Sequence, residues 1–152
     1  MEVKLKALRK IYFHYLDRRI IYIKNKTTLK NFIAKVFHKE QKEIIRVDCI
    51  FCSDEYLIKI NKKFLRHNFY TDIITFDLSG DNQKVAAEIY ISADRIKENA
   101  QKNNVFIYKE IYRVLFHGVL HLCGYKDKTL EEIKIMREKE DFYLDLYNSY
   151  ST

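Results

Sequence analysis

The sequence contains no proline and only three glycines in 152 residues. Flexible linkers and low-complexity tracts are usually rich in these residues, so none is predicted to divide the chain. A hydrophobic content of 47% is enough to bury one sizeable core but hardly two. We therefore predict a single domain over residues 1–152.

Long apolar runs are also missing, since no segment approaches the roughly 18 residues that cross a membrane. Charged residues interrupt the stretch from Met1 to Arg19, which therefore lacks the apolar segment of a signal peptide. The three cysteines are odd in number and do not form a disulfide framework. Cys49 and Cys52 lie three apart on a predicted strand, where side chains three apart point to opposite faces. These features favour a reducing, cytoplasmic location without a membrane partner, and no nucleotide cofactor is expected.

The most specific pattern present is HGVLHLCGYKD at residues 117–127. His117 and His121 differ by roughly 40° around a helix, so they share a face. Gly124 can end that helix with a positive φ, and the chain then turns so that Asp127 can return as a third ligand. Two imidazoles and a carboxylate suit zinc, with a fourth position open for water. We predict one Zn²⁺ per chain at His117, His121 and Asp127, although other divalent metals are possible.

The same pattern coincides with the second half of the metzincin protease signature, HExxHxxGxxH. Gly118 stands where such a protease carries its glutamate, the general base that activates the metal-bound water. A metalloprotease remains an alternative function, but it would lack this base.

The net charge of +7 favours a polyanionic partner, because each neutralised phosphate releases a counterion. A lysine-rich composition can also reflect only the coding habits of an AT-rich genome. The candidate phosphate contacts are Lys62, Lys63, Arg66, Lys126 and Lys128. For the first three, a solvated helix face is an equally good interpretation.

Hydrophobic periodicity predicts an α+β domain, with a small mixed sheet of about four strands, about five helices, and the metal site on a central helix as in zincins. The spacing of the third and fourth strands indicates an antiparallel pair. The predicted strands are Ile20–Ile23, Ile44–Cys52, Asp72–Leu78 and Val85–Ile91. The predicted helices run over 29–37, 54–64, 92–103, 108–122 and 130–147.

Several segments together resemble one known family. HGVLHLCGYKD is similar to the HGxLHLxGYDH signature of YbeY-type endoribonucleases, which are rRNA maturation factors. Residues 71–76 (TDIITF) resemble the family's TDVLSF strand, and residues 88–92 (EIYIS) resemble its GDIxIS segment. Ile60-Asn61 followed by Phe64 is similar to the family's LN-x-x-F/Y lead-in. The resemblance extends from about Val47 to Asp141.

This resemblance implies a single-strand-specific, metal-dependent endoribonuclease that acts in 16S rRNA 3′-end maturation and ribosome quality control. It implies rRNA and the small ribosomal subunit as partners. It also implies zinc at His117, His121 and Asp127, with Asp127 in place of the family's third histidine. The family's arginine falls on Leu65, so either Arg66, one place later, takes its role as the catalytic contact to phosphate or that role is vacant.

The nucleophile is left open between the metal-bound water and the RNA 2′-hydroxyl, and the oligomeric state is not predicted. A ribosome-associated RNA-binding factor with structural zinc is a further alternative.

Overall fold

The computed structural model describes residues 9–16, 23–66 and 71–152. These residues form a four-stranded mixed sheet and five helices, which confirms the predicted α+β class. In chain order the elements are β1 (Ile11–Tyr15), α1 (Lys26–Lys39), β2 (Glu43–Cys52), α2 (Asp54–Leu65), β3 (Ile73–Asp77), β4 (Lys84–Ser92), α3 (Ala93–Lys102), α4 (Ile107–Leu122) and α5 (Leu130–Ser151).

The strands of the sheet follow the order β1-β2-β4-β3. The β1–β2 and β2–β4 pairs are parallel, whereas β3 and β4 are antiparallel, as their short connection predicted. Asp77 and Asp81 hold this connection by accepting hydrogen bonds from the backbone N–H groups of Ser79 and Gln83. Such local side-chain bonds are typical of tight turns.

The first strand differs from the prediction. The structure places it at Ile11–Tyr15, which was not predicted, and it pairs in parallel with β2. Of the predicted strand at Ile20–Ile23, the first three residues lie outside the described part of the chain, and Ile23 is buried but belongs to no strand. Tyr12 and His14 on the outward side of β1 are aromatic, so the apolar–polar alternation of a half-buried strand is hard to see in its sequence.

Helix α4 occupies the centre of the molecule, since it packs on β3 and β4 and also on α1, α3 and α5. Its apolar face, which includes Val114, Leu115 and Val119, is buried. Helix α4 packs against one face of the sheet. Its histidines lie on an adjacent side of the helix, so they are held beside β3 at the edge of the sheet. Within the described residues, no helix is long and apolar enough to span a bilayer.

The cysteines of β2 confirm the prediction of opposite faces. Cys49 belongs to the main core under α1 and α4, whereas Cys52 belongs to a smaller core formed with Leu57, Ile60 and Ile74. Both are free thiols, and burial raises the pKa of each to about 12. They contribute to packing rather than to metal binding.

Candidate metal centre

The end of α4 is shaped by a hydrogen-bond motif that reverses the chain after His121. The N–H of Tyr125 donates to the Leu120 carbonyl at 3.1 Å, and that of Gly124 donates to the His121 carbonyl at 3.0 Å. Gly124 has a φ of 102°, in the region that favours glycine. This is the Schellman ending of a helix. It confirms the predicted role of Gly124 and turns the following residues back towards the histidines.

The three predicted ligands converge after this reversal. The Nε2 atoms of His117 and His121 are 3.0 Å apart, and Asp127 Oδ2 lies 3.2 Å from the first and 3.1 Å from the second. The loop is fixed at its far end by a capping box, in which Thr129 and Glu132 exchange hydrogen bonds at the start of α5. Asp127 is therefore held between two defined helix ends.

The other nitrogen of each imidazole has its own partner. The Nδ1–H of His121 donates to the Tyr125 carbonyl oxygen at 3.0 Å, and that of His117 donates to the Glu140 carboxylate at 2.9 Å. A carbonyl oxygen can only accept, so His121 carries a proton on Nδ1, and the neutral imidazole in this tautomer presents a lone pair at Nε2. Hydrogen bonds of this kind orient metal-binding histidines in proteins.

Charges around His117 set the protonation of the site. Burial alone would lower the pKa of His117, but the hydrogen bond and charge of Glu140, together with Asp127, raise it above its usual value. Burial likewise acts to raise the pKa of Glu140, yet the bonds from His117 and Arg113 bring it below its usual value. Glu140 is thus a buried carboxylate that keeps its negative charge behind His117.

The donor set fits a zinc ion. At zinc–nitrogen and zinc–oxygen distances of about 2.0–2.1 Å, tetrahedral ligands are about 3.3 Å apart. The three observed separations of 3.0–3.2 Å lie close to this value. When the histidines are neutral, all three atoms carry lone pairs and can only accept. A group of lone pairs that converge in this way can hold a cation. His117, His121 and Asp127 are also the only group of three or more potential ligands found in the described part of the chain.

Two grooves meet at these ligands. The larger, of about 470 Å³, extends along α3, α4 and α5 and includes His117 and Asp127 in its lining. The smaller, of about 300 Å³, lies against β3 and the end of α2 and includes all three ligands. Asp72 borders both grooves, and burial raises the pKa of its carboxyl group.

The five cations predicted to contact RNA have exposed side chains, and none of them is among the residues that line either groove. Lys62 and Lys63 are in the last turn of α2, and Lys126 and Lys128 flank Asp127. Leu65, at the position of the family arginine, lines the groove. Arg66 is the C-cap of α2, with a φ of 56°, and is not part of that lining. Its role as a contact to phosphate stays a prediction.

Residue-level reasoning from sequence missed Glu140 and Asp72. Glu140 carried a signal, because it lies on the buried stripe of α5 with Met136, Tyr143 and Tyr147. A carboxylate on an apolar helix face needs a partner. The pairing with His117 depends on how α5 packs on α4, however, and no local spacing reveals that packing. Met136 itself is 2% exposed and belongs to the hydrophobic core.

Gly118 faces the sheet and not the grooves. A Cβ atom at this position would lie 2.6 Å from Ile73 Cδ1 and 3.2 Å from Ile89 Cγ2. The glycine therefore lets α4 approach the sheet closely. The position that holds the general base in metzincins has no space here for a side chain.

Comparisons with known proteins identify the family of this chain. The family model described as Endoribonuclease YbeY matches residues 15–148. A relative from Cytophaga hutchinsonii with that name is 46% identical over 134 residues, which cover 88% of this chain and 94% of the relative. A second relative with the same name, from Karelsulcia muelleri, is also 46% identical over 134 residues, with 88% and 93% coverage.

A solved structure is similar as well. The solution structure of TM1509 from Thermotoga maritima matches with a TM-score of 0.61 and 28% identity, and the match covers 90% of this chain and 88% of that protein. The family match begins at the last residue of β1 and extends into α5, so it includes all the residues of the candidate metal centre. The chain belongs to the YbeY endoribonuclease family.

Proposed function

We propose that this chain is a single-strand-specific endoribonuclease that acts in 16S rRNA 3′-end maturation and ribosome quality control, with Zn²⁺ held by His117, His121 and Asp127. The observation that carries the proposal is the convergence of three acceptor atoms within 3.2 Å of one another. They converge in a chain whose relatives are named endoribonucleases. Small-subunit rRNA is the proposed partner, and the cytoplasm is the proposed location.

Zinc, when bound, supplies a Lewis acid that polarises a phosphoryl oxygen and lowers the pKa of water towards about 7. The chain's own residues orient and tune this centre. Glu140 and the Tyr125 carbonyl fix the two imidazole rings, so that both Nε2 atoms face the same point. The carboxylate of Asp127 adds a negative charge where the family signature has a neutral histidine, and offsets part of the positive charge that faces the phosphate.

The surface around the site supports an RNA substrate. The chain has a net charge of +7, and Lys126 and Lys128 flank Asp127 with exposed side chains. We propose that these two lysines contact phosphates beside the reacting one, and that Lys62, Lys63 and Arg66 contact phosphates further along the strand. Arg66 is exposed and does not line the groove, whereas Leu65 does.

The test is cleavage of an rRNA precursor that carries the 3′ end of 16S rRNA, with the zinc content of each protein measured. We expect wild type to cleave within single-stranded RNA, and H121A and D127A to lose both zinc and at least about a hundredfold in rate. The control is H38A, which changes an exposed histidine on α1.

Cleavage that survives in H121A and D127A would point to a contaminating nuclease. Tight rRNA binding without cleavage by zinc-loaded wild type would instead favour the RNA-binding factor with structural zinc. Proteolysis of a denatured protein by the same samples tests the metalloprotease alternative, which the close packing of Gly118 disfavours.

A further inference from the structure

The larger groove beside His117 contains a buried carboxyl group that the candidate metal centre does not use. Glu110, in the first turn of α4, is 6% exposed and lines this groove. In the described part of the chain, no hydrogen bond or ion pair reaches its side chain. The buried polar atoms without a partner in the described residues do not include its carboxylate oxygens, which therefore open onto the groove. A ligand in the groove can use this free hydrogen-bonding capacity of Glu110.

The neighbouring cation does not provide the missing partner. Arg113 lies one turn further along α4, but its guanidinium donates to Glu140 at 3.1 Å and to Asp141 at 2.7 Å. Burial raises the pKa of Glu110, and the charge of Arg113 offsets this only in part. Glu110 is thus held in an environment that disfavours its charge.

The rest of the groove provides the surfaces that a flat heterocycle needs. Asn99 and Asn103 contribute side-chain amides, which both donate and accept hydrogen bonds. Val114 and Met136 contribute apolar surface. Pockets of about 300–1,000 Å³ with a few polar groups among apolar ones are typical small-ligand sites, and this groove has about 470 Å³.

A second metal ion fits the groove less well than a nucleobase. In the described residues, the ligand atoms of Glu110 do not converge with two others as those of His117, His121 and Asp127 do. The lining also contains three cationic side chains, Lys102, Arg113 and Arg137, beside four carboxylates. Lys102 and Arg137 can contact the phosphates of an RNA strand that passes along the rim.

We propose that this groove binds one unpaired nucleobase of the RNA, next to the phosphate at the metal centre, and that Glu110 accepts hydrogen bonds from the base edge. Guanine is the base that fits best, because its N1–H and N2 amino group are two adjacent donors that match one carboxylate. Unpaired bases are commonly read in this way on their Watson–Crick edges. This inference rests on the proposed function, and it names the determinant of base preference at the site.

The experiment compares wild type with E110Q, using E138Q as the matched control. Glu138 is an exposed glutamate on α5, and the control makes the same change of charge outside the groove. Zinc-loaded proteins are given a pool of random single-stranded RNA, and the cleaved ends are sequenced. Binding is measured by fluorescence anisotropy before detectable cleavage, on oligouridine with one central guanosine, inosine or uridine.

We expect wild type and E138Q to prefer guanosine at one position near the cleaved bond by at least about fivefold, the lower end for a bidentate contact. Inosine, which lacks the N2 amino group, should lose most of this preference. E110Q should lose the preference, retain its zinc, and melt at the same or a higher temperature than wild type, because it removes a buried charge.

Three results would overturn the pocket: no base preference in wild type, an unchanged preference in E110Q, or a lower melting temperature of E110Q with the preference intact. A fall in bound divalent metal from two per chain to one in E110Q would identify a second cation site instead. In all these cases wild type still cleaves RNA. If the proposed function were wrong, wild type would cleave no RNA. The anisotropy measurements of RNA binding would still test the pocket in that case.

Discussion

At the scale of single residues, Glu140 is the group that connects the candidate ligands to the rest of the protein. It is buried, it accepts a hydrogen bond from His117, and it pairs with Arg113. A carboxylate behind a metal-binding imidazole fixes the ring and raises its basicity. The negative charge of Glu140 should therefore make His117 a stronger metal ligand, although Glu140 itself would not contact the metal.

We expect E140Q to weaken zinc binding by about 10–100-fold, as is usual when the outer partner of a ligand is changed. The amide still fills the space of the carboxylate but lacks its charge. The measurement is competition for zinc with a chromogenic chelator, with E138Q as the exposed control on the same helix. Equal affinities of E140Q and wild type would show that the charge of Glu140 has no influence on the metal.

The residues of the metal centre differ in how far sequence predicts them. His117, His121 and Asp127 lie within one short segment, so helix periodicity and one glycine are enough to bring them together. Glu140 and Asp72 come from other elements. Their approach to the site depends on packing between α4, α5 and β3, and a single sequence holds no local record of such contacts.

At the scale of elements, α1, α4 and α5 are joined by an aromatic cluster around Phe32. This fully buried ring lies 5.3 Å from Phe116 on α4, and 4.9 Å from Tyr147 and 5.4 Å from Tyr150 on α5, measured between centroids. Offset and tilted aromatic pairs at such distances add to the free energy of burial. The cluster holds the two helices that carry His117 and Glu140 against each other.

Replacing Phe32 by alanine should lower the free energy of unfolding by about 3–5 kcal/mol, because it leaves a cavity where three helices meet. Urea denaturation followed by circular dichroism measures this change. F142A is the control, since Phe142 lies on α5 but is 49% exposed. Similar losses in the two variants would contradict the assignment of Phe32 to the centre of the core.

The elements themselves were predicted where their periodicity is strong. Strands β2, β3 and β4 and all five helices of the described residues lie close to the predicted bounds. Strand β1 was missed because its outward side chains, Tyr12 and His14, are as large and β-compatible as its inward ones. An edge strand of five residues offers too few positions for a period of two to be recognised.

At the scale of the whole molecule, the surplus of positive charge determines how an RNA would be bound. Affinity for single-stranded nucleic acid falls with salt, with a slope of about −0.7 per phosphate neutralised. The slope therefore counts the phosphate contacts that the surface makes. The sequence predicted which lysines are candidates, but the arrangement of the two grooves that a strand could follow required the fold.

We expect the double variant K126Q/K128Q to reduce the magnitude of this slope by about 1.4, the value for two phosphates. The measurement is RNA binding by anisotropy across a series of salt concentrations. K39Q/K84Q is the control, because both of these lysines are exposed and neither is next to a candidate metal ligand in the chain. An equal reduction in both variants would mean that the lysines beside Asp127 act only through net charge.

The three candidate ligands lie close together in the chain, whereas Glu140 follows them on α5. During synthesis, the segment up to Asp127 leaves the ribosome before α5 does. If the site holds zinc as proposed, we expect the nascent chain to bind the ion weakly until α5 has docked and brought Glu140 to His117. A ligand that also binds the unfolded state stabilises the folded state less than its final affinity implies. Removal of zinc should consequently loosen the docking of α5 more than it lowers the stability of the sheet.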